Sequence, residues 1–384
     1  MTHLTIVSVR NTLLLESVNC THMIERQESS AEVYERLKID LRKSIPESVV
    51  PDFELKYKAE LVSQIMELKR QKNAVILGHN YMEPVLFHTV PDFKGDSLEL
   101  SKRAAETNAD IIVFCGVHFM AETAKILNPS KKVLIPSLDA GCSLAEGIKP
   151  ANLVWLREKY PHLPIVSYIN TTADVKALTD VCCTSGNVNQ VIAWAKKYFN
   201  VPSVIFLPDK YMAGNVANDL SMDLYFPTQD SVKSEAEVTE KPTIIGWNAR
   251  CYVHEQYTPQ LIEDVRKDYP GAVILAHPEC PPNVIAKSDF SGSTSAMTKW
   301  VTENGANKKI ALLTECSMAD NIVTTHPELN ENLIRMCNIR CKFMHAITLE
   351  QTLDALKFDQ YEVNIPKSIR RPAEVAVRRM MAIS

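Results

Sequence analysis

One arrangement recurs three times along this chain and limits what it can fold into. An apolar strand-like run ends in polar donors and acceptors at AVILGHNY (Ala74 to Tyr81), PIVSYINT (Pro164 to Thr171) and AVILAHPEC (Ala272 to Cys280). A small-residue Ser/Thr loop that opens a helix-like segment follows each, at GDSLELS, CTSGNV and SGSTSAM. A second apolar run then stops at a polar turn and Met-Ala, in GVHFMA, PDKYMA and TECSMA. A cysteine follows each Met-Ala: Cys142, Cys251 and Cys341. The middle interval is longest because a polar stretch, QDSVKSEAEVTEKP, is inserted there. Three such units predict a pseudo-threefold protein with one central site.

From Ala74 onward, strand and helix patterns alternate, which predicts an α/β protein with parallel sheets covered by helices. The patterning places strands at 74–78, 111–117, 131–136, 164–169, 203–207, 243–247, 272–276 and 309–314. Helices are expected at 97–107, 119–127, 187–198, 258–268 and 294–303. A helix over 53–71 carries Leu55, Leu61, Ile65 and Leu68 near helical spacing. NLIRMCNIRC is no clean apolar run, so the last strand of the third unit does not stand out. The tail offers two helices around YEVNIP and is expected to pack back on the body. Residues 1–50 are weakly patterned, and SVVPDF marks a boundary.

The bulk numbers exclude several classes. A chain of 384 residues with 46% hydrophobic and 23% charged residues is that of a globular protein. The net charge of -4 gives no reason to expect nucleic acid. Only 11 glycines are present, and neither G-x-G-x-x-G nor a P-loop occurs, which argues against dinucleotide and NTP sites. No apolar run approaches the ~20 residues that span a bilayer. The start carries Arg10 and Glu16 within its apolar stretch and reads poorly as a signal peptide. The ten cysteines then suit reduced thiols and metal ligands in a cytoplasmic setting better than disulfides.

In open parallel sheets, ligands bind beyond the carboxyl ends of the strands. His79, Asn80, Tyr81, Tyr168, Asn170, His277 and Glu279 sit there. Ser97, Ser185 and Thr294 begin helices or lie just before them, where free N–H groups favour anions. Each residue also has a plainer reading. A strand-end histidine is often structural, and Glu279 could cap a turn or act as an acid/base. His88, His118 and His162 are read as structural, and the basic IRRPAEVAVRRMM as a solvated helix face. Cys142, Cys251 and Cys341 are either buried thiols or thiolate ligands for iron–sulfur or zinc, and their matched placement favours ligands. Three ligands would leave one metal position open for Lewis-acid chemistry. Cys115, Cys182, Cys183, Cys280 and Cys316 are read as core thiols. Cys337 forms C-x-x-x-C with Cys341, either as a second redox thiol or as a rival for the place of third ligand.

GHNYMEP, GDSLELS, GVHFMAETAKILNP, AGCSLA, YINTTADVKALTDVCCTSGN, RCYVH, HPECP, GSTSAM, CKFMHAITLEQTL and YEVNIP together resemble the quinolinate synthase family from about Phe53 to Met381. The resemblance implies three α/β sandwich domains around a pseudo-threefold axis. They correspond to residues 51–148 with the tail 346–384, 149–247 and 248–345, preceded by an extension over 1–50. It implies a [4Fe–4S] cluster held by Cys142, Cys251 and Cys341. It also implies condensation of iminoaspartate with dihydroxyacetone phosphate to quinolinate, phosphate and water, in NAD biosynthesis. Substrate contacts carry over to His79, Ser97, Tyr168, Asn170, Ser185, His277, Glu279 and Thr294, and an active-site tyrosine to Tyr81. Tyr81, His79 and Glu279 are the candidates to move protons. An L-aspartate-oxidising enzyme would supply the iminoaspartate. Two other classes stay open: a different iron–sulfur hydro-lyase, and a zinc or iron–sulfur sensor without turnover.

Overall fold

The computed structural model describes residues 28–43, 47, 50–336 and 338–383. It contains three sheets, and all their strand pairs are parallel. The first is built from β1 (Ala74–His79), β2 (Phe93–Gly95), β3 (Ile111–Cys115) and β4 (Lys132–Leu134), in the order β2-β1-β3-β4. The second holds β5 (Ile165–Tyr168), β6 (Val181–Cys183), β7 (Val204–Leu207), β8 (Asp223–Tyr225) and β9 (Thr243–Gly246), in the order β6-β5-β7-β9-β8. The third runs β11-β10-β12-β13, from β10 (Val273–Ala276), β11 (Phe290–Ser291), β12 (Ile310–Leu313) and β13 (Leu333–Ile334). The order is the same three times, with β8 added outside β9 just before the polar insertion.

The strands are short, nearly continuous apolar runs because both faces are buried. Pleating sends alternate side chains to different cores. Phe206, Ile244 and Leu275 enter the large central cluster, whereas Ile205, Ile245 and Ile274 fill the outer layers of their own units. The short edge strands β2, β6 and β11 carry too few residues to show a pattern in sequence. Each leads directly into one of the three Ser/Thr loops.

A repeated aspartate pins each edge strand. Asp92, Asp180 and Asp289 immediately precede β2, β6 and β11. Their carboxylates accept from the backbone N–H of Ile76 (2.8 Å), Ile165 (2.7 Å) and Ile274 (2.8 Å) at the first strand of the same unit. Each is also paired with a base on the helix before that strand: Lys69 on Asp52–Gln71, Arg157 on Pro150–Lys159 and Arg266 on Pro259–Asp268.

Two parts of the chain depart from expectation. The segment before the boundary includes a helix, Ser30–Leu41, closed by a Ser29–Glu32 capping box, which buries Val33, Leu37 and Leu41. The tail helices Leu349–Phe358 and Lys367–Ala382 form as expected, but they reach two units. The first packs on Asp52–Gln71, and the second lies against β6. Between them, residues 361–363 run antiparallel to β4, with Val363 N–H donating to Val133 O at 2.9 Å. The basic face of the last helix is only partly solvated, since Arg379 donates to Asp180 O at 2.7 Å. Among the described residues, no helix is long and apolar enough to cross a membrane.

The aspartate pin yields a test. Asp180→Ala leaves the Ile165 N–H and Arg157 without their shared acceptor, and hydrogen bonds to charged groups are worth about 1.5–3 kcal/mol. Urea denaturation should show a loss of that size, smaller in Asp180→Asn. An unchanged midpoint in Asp180→Ala would remove the pin from the account of the fold.

Candidate active site

The first strand of every unit ends in a pair of polar residues two positions apart: His79 and Tyr81, Tyr168 and Asn170, His277 and Glu279. All six line one cavity, which spans ≈ 700 Å³ of atom-free space with the open solvent at its mouth included. Ser97, Ser185 and Thr294 line the same cavity, and so do Cys142, Cys251 and Cys341. Every residue to which the resemblance assigns a role is therefore brought together, whereas Asn80 stands off this wall and donates through Nδ2 to Thr294 Oγ1 at 2.9 Å. Cys337 lies outside the described residues, so its competition with Cys341 is not decided by position. Cys115, Cys182, Cys183, Cys280 and Cys316 are buried away from the cavity wall, and His88, His118 and His162 are also outside it.

The loops reach the axis by three helix starts. Ser97 opens the helix Ser97–Glu106, whose N-cap Asp96 accepts from Leu98 N–H and Glu99 N–H at 3.1 Å. Thr294 opens Thr294–Asn304, capped by Ser293. Ser185 lies three residues before Val188–Phe199, in a turn closed by Thr184 N–H to Asn187 Oδ1 at 2.8 Å. The first residues of two helices, Ser97 and Thr294, thus border one space with the turn that carries Ser185. Among the described residues, no lysine or arginine lines it.

Two imidazoles have fixed tautomers. His79 Nδ1 accepts the Tyr81 N–H at 3.2 Å, and His277 Nδ1 accepts the Glu279 N–H at 3.3 Å. A ring nitrogen that accepts carries no proton, so Nε2–H is the donor each neutral ring offers a ligand. Burial lowers His79 to about 4 and His277 to about 3, which keeps both rings neutral near pH 7.

A hydrogen-bonded chain crosses the floor. Tyr81 Oη meets Thr314 Oγ1 at 2.5 Å, and Thr314 Oγ1 meets His254 Nε2 at 3.0 Å. His254 Nδ1 lies 2.9 Å from Glu279 Oε2. Tyr168 Oη–H donates to Glu279 Oε1 at 2.6 Å, and Asn170 Nδ2 reaches the same oxygen at 3.4 Å. Burial favours the neutral carboxyl of Glu279, but His254, His277 and Tyr168 outweigh it and hold the group below the usual carboxylate range. Burial pushes the Tyr81 phenol well above its ordinary value, so it stays protonated. With Glu279 ionised, His254 donates through Nδ1 and accepts through Nε2. The chain then runs one way, from the Tyr81 hydroxyl through Thr314 and His254 to Glu279.

His254 and Thr314 were not singled out in the sequence. His254 follows Cys251 by one turn in RCYVH, and Thr314 begins TECSMA. Both motifs were in view, but nothing in the repeat pattern set apart these positions from their neighbours. Glu315, also on the cavity wall and buried, carries no such signal either.

The cysteine loops are cross-tied. Ser143 Oγ–H donates to Arg250 O at 3.2 Å and accepts from Tyr252 N–H at 3.3 Å, joining the neighbours of Cys142 and Cys251. Tyr252 Oη–H donates to Arg340 O at 3.4 Å and accepts from Lys342 N–H at 2.6 Å, joining the loop of Cys341. Burial pushes the Cys142 thiol up to about 12 and raises Cys251 and Cys341 as well. Three thiols so placed ionise only with a positive centre among them, and soft thiolates suit iron–sulfur chemistry. The donor set therefore fits a metal group. Cys251, His254 and Glu279 form a second possible metal-binding group, with donor atoms within 4.8 Å of one another.

Three parallel α/β units closing on a thiol-, imidazole- and carboxylate-lined cavity define a class: a small-molecule site on an α/β fold with a place for a metal group. The chain belongs to the quinolinate synthetase A family, whose description, "Quinolinate synthetase A protein", matches residues 63–382. It is 45% identical over 357 residues to quinolinate synthase 2 of Mesorhizobium japonicum, covering 93% of this chain and 99% of that one. It is 48% identical to the quinolinate synthase of Xylella fastidiosa over 322 residues, 84% of this chain and 87% of that one. The quinolinate synthase of Agrobacterium fabrum is 42% identical over 377 residues, 98% and 99% of the two chains.

The buried imidazoles make stability depend on pH. Unfolded histidines protonate around 6.5, whereas His79 and His277 wait until about 4 and about 3. Between those values the unfolded chain binds more protons, so these rings lower stability as pH falls from 6.5 and have no effect well above it. Imidazole ¹⁵N spectra at pH 5.5 should show both as neutral Nε2–H rings. Doubly protonated signals for either would contradict the assignment.

Proposed function

We propose that this chain is a quinolinate synthase. It condenses iminoaspartate with dihydroxyacetone phosphate to give quinolinate, phosphate and two waters, as a transferase of NAD biosynthesis carrying a [4Fe–4S] cluster. The convergence of three strand-end pairs, three Ser/Thr loops and three thiols on one cavity carries this reading, together with the names of the relatives.

The residues divide the work. His79 and His277 offer Nε2–H to the substrate carboxylates, alongside the hydroxyls of Ser97, Ser185 and Thr294 and their helix starts. Asn170 Oδ1 is buried and has no hydrogen-bond partner, which suits it to accept an N–H of the imine or enamine nitrogen. Tyr81 is the proton carrier at the reacting atoms. When it gives up its proton, Thr314 passes one on to His254, and the Glu279 carboxylate stabilises the imidazolium, the same logic as a hydrolase triad. Cys142, Cys251 and Cys341 would hold the cluster, which when bound supplies Lewis-acid polarisation of an oxygen at its open iron. A single metal ion on Cys251, His254 and Glu279 is the competing reading. The hydrogen bond already joining His254 to Glu279 favours their use as an acid/base pair. Iminoaspartate is a labile imine, so an L-aspartate-oxidising enzyme is proposed to act nearby, with both proteins in the cytoplasm.

Anaerobically purified protein should carry about four irons per chain and form quinolinate. Alanine at Cys142, Cys251 or Cys341 should abolish the iron, while Cys182→Ala and His254→Asn should retain it. Loss of all iron in His254→Asn would favour the single-ion site. Glu279→Gln and Thr314→Val should keep the cluster and slow turnover by about 10²–10⁴-fold, the usual reach of acid/base catalysis. Near-normal turnover in both variants would end the relay proposal.

A further inference from the structure

The cavity wall carries Asp96, Glu279 and Glu315 and, among the described residues, no lysine or arginine. Its proposed occupants bring carboxylates, a phosphate and thiolates. A buried cation stands behind the wall. Lys176, at the end of the short helix Ala173–Lys176, is fully buried. Its Nζ donates to the carbonyl of Thr171, the residue after Asn170, and lies 5.4 Å from the centroid of the Phe119 ring. Phe119 itself lines the cavity, so Lys176 is separated from it by one aromatic side chain. Cys142 and Cys182 lie within its electrostatic reach, and Glu122 is the first of the opposing charges. Glu122 is held in place by Ala173 N–H at 2.9 Å and is itself only 12% exposed.

Burying a lysine is costly, and a methionine of similar length would fill the space without that cost. Burial lowers the Lys176 ammonium below the usual lysine range, and Glu122, the Thr171 carbonyl and the aromatic face oppose that loss of charge. We infer that Lys176 is a positioning residue that supplies the positive charge for this anion site from behind Phe119, with Glu122 setting how much of that charge the site feels. The inference rests on the reading of the cavity as an anion site.

Calorimetric titration of the anaerobically reconstituted protein with maleate and with inorganic phosphate tests it. Lys176→Met should weaken binding of either dianion about tenfold, the scale of a unit charge acting across roughly 10 Å of protein. Its melting temperature should hold or rise. Glu122→Gln keeps an oxygen for Ala173 N–H but removes a negative charge, and it should tighten binding by several-fold. Opposite responses to two neutral replacements cannot come from lost packing. Weaker binding in Lys176→Met with no change in Glu122→Gln would mean that the lysine only shapes the Thr171 loop, and would overturn the inference. Equal affinities in all three proteins would overturn it too. If Lys176→Met does not fold, Glu122→Gln decides alone. Failure of the unmodified protein to bind either anion would instead overturn the anion-site reading itself.

Discussion

Glu279 is the interaction on which the site depends. It is a 4% exposed carboxylate at the end of a third-unit strand, and its hydrogen-bond donors come from elsewhere: Tyr168 and Asn170 from the second unit, His254 from the cysteine loop before it. A buried carboxylate without partners would take up a proton or force the units apart. All these contacts keep the charge inside, and those from Tyr168 and Asn170 also fix the second unit against the third. The ionised group then orients His254, and His254 orients Thr314 and Tyr81, so the direction of the relay follows from a packing requirement.

The threefold arrangement solves a charge problem in an unusual way. Under the proposed function the cavity takes dianions, and such sites are commonly lined with arginine or lysine, yet among the described residues neither stands on this wall. Helix starts at Ser97 and Thr294 and the turn at Ser185 instead place hydroxyl and backbone groups on the wall. Neutral imidazoles at His79 and His277 add donors without adding charge. The hydroxyls can turn between donating and accepting as a substrate changes during reaction. Such a wall can hold carboxylate and phosphate without fixing either irreversibly.

Much of this was legible in the sequence, because the repeat superimposes residues of the same role. His79, Tyr168 and His277 end matched strands, Ser97, Ser185 and Thr294 occupy matched loops, and all were picked out by that equivalence. His254 and Thr314 escaped because their partners lie far away in sequence and have no counterparts in the other units. Nothing at the corresponding places, Gly116 and Pro208, repeats Thr314. The edge strands β2, β6 and β11 escaped for a different reason. Two or three residues are too few to show a period, and their register is set by Asp92, Asp180 and Asp289. Those aspartates do recur in VPDF, LTDV and KSDF, a signal visible only when all three units are compared.

The cysteine loops show why a threefold fold suits three thiols. Each loop is irregular, and a lone irregular loop positions a ligand poorly. Here Ser143 and Tyr252 form a bonded belt from the Cys142 loop through the Cys251 loop to the Cys341 loop. Gly147 permits this closeness on the first side, since a Cβ there would lie 2.5 Å from the Ala249 side chain. Trp247 closes the same contact by donating to Gly147 O at 2.9 Å. The belt makes the separation of the thiols a property of how the units meet. A shift between any two units would therefore disturb the metal site and the Tyr81–Glu279 relay together, because the same junctions hold both.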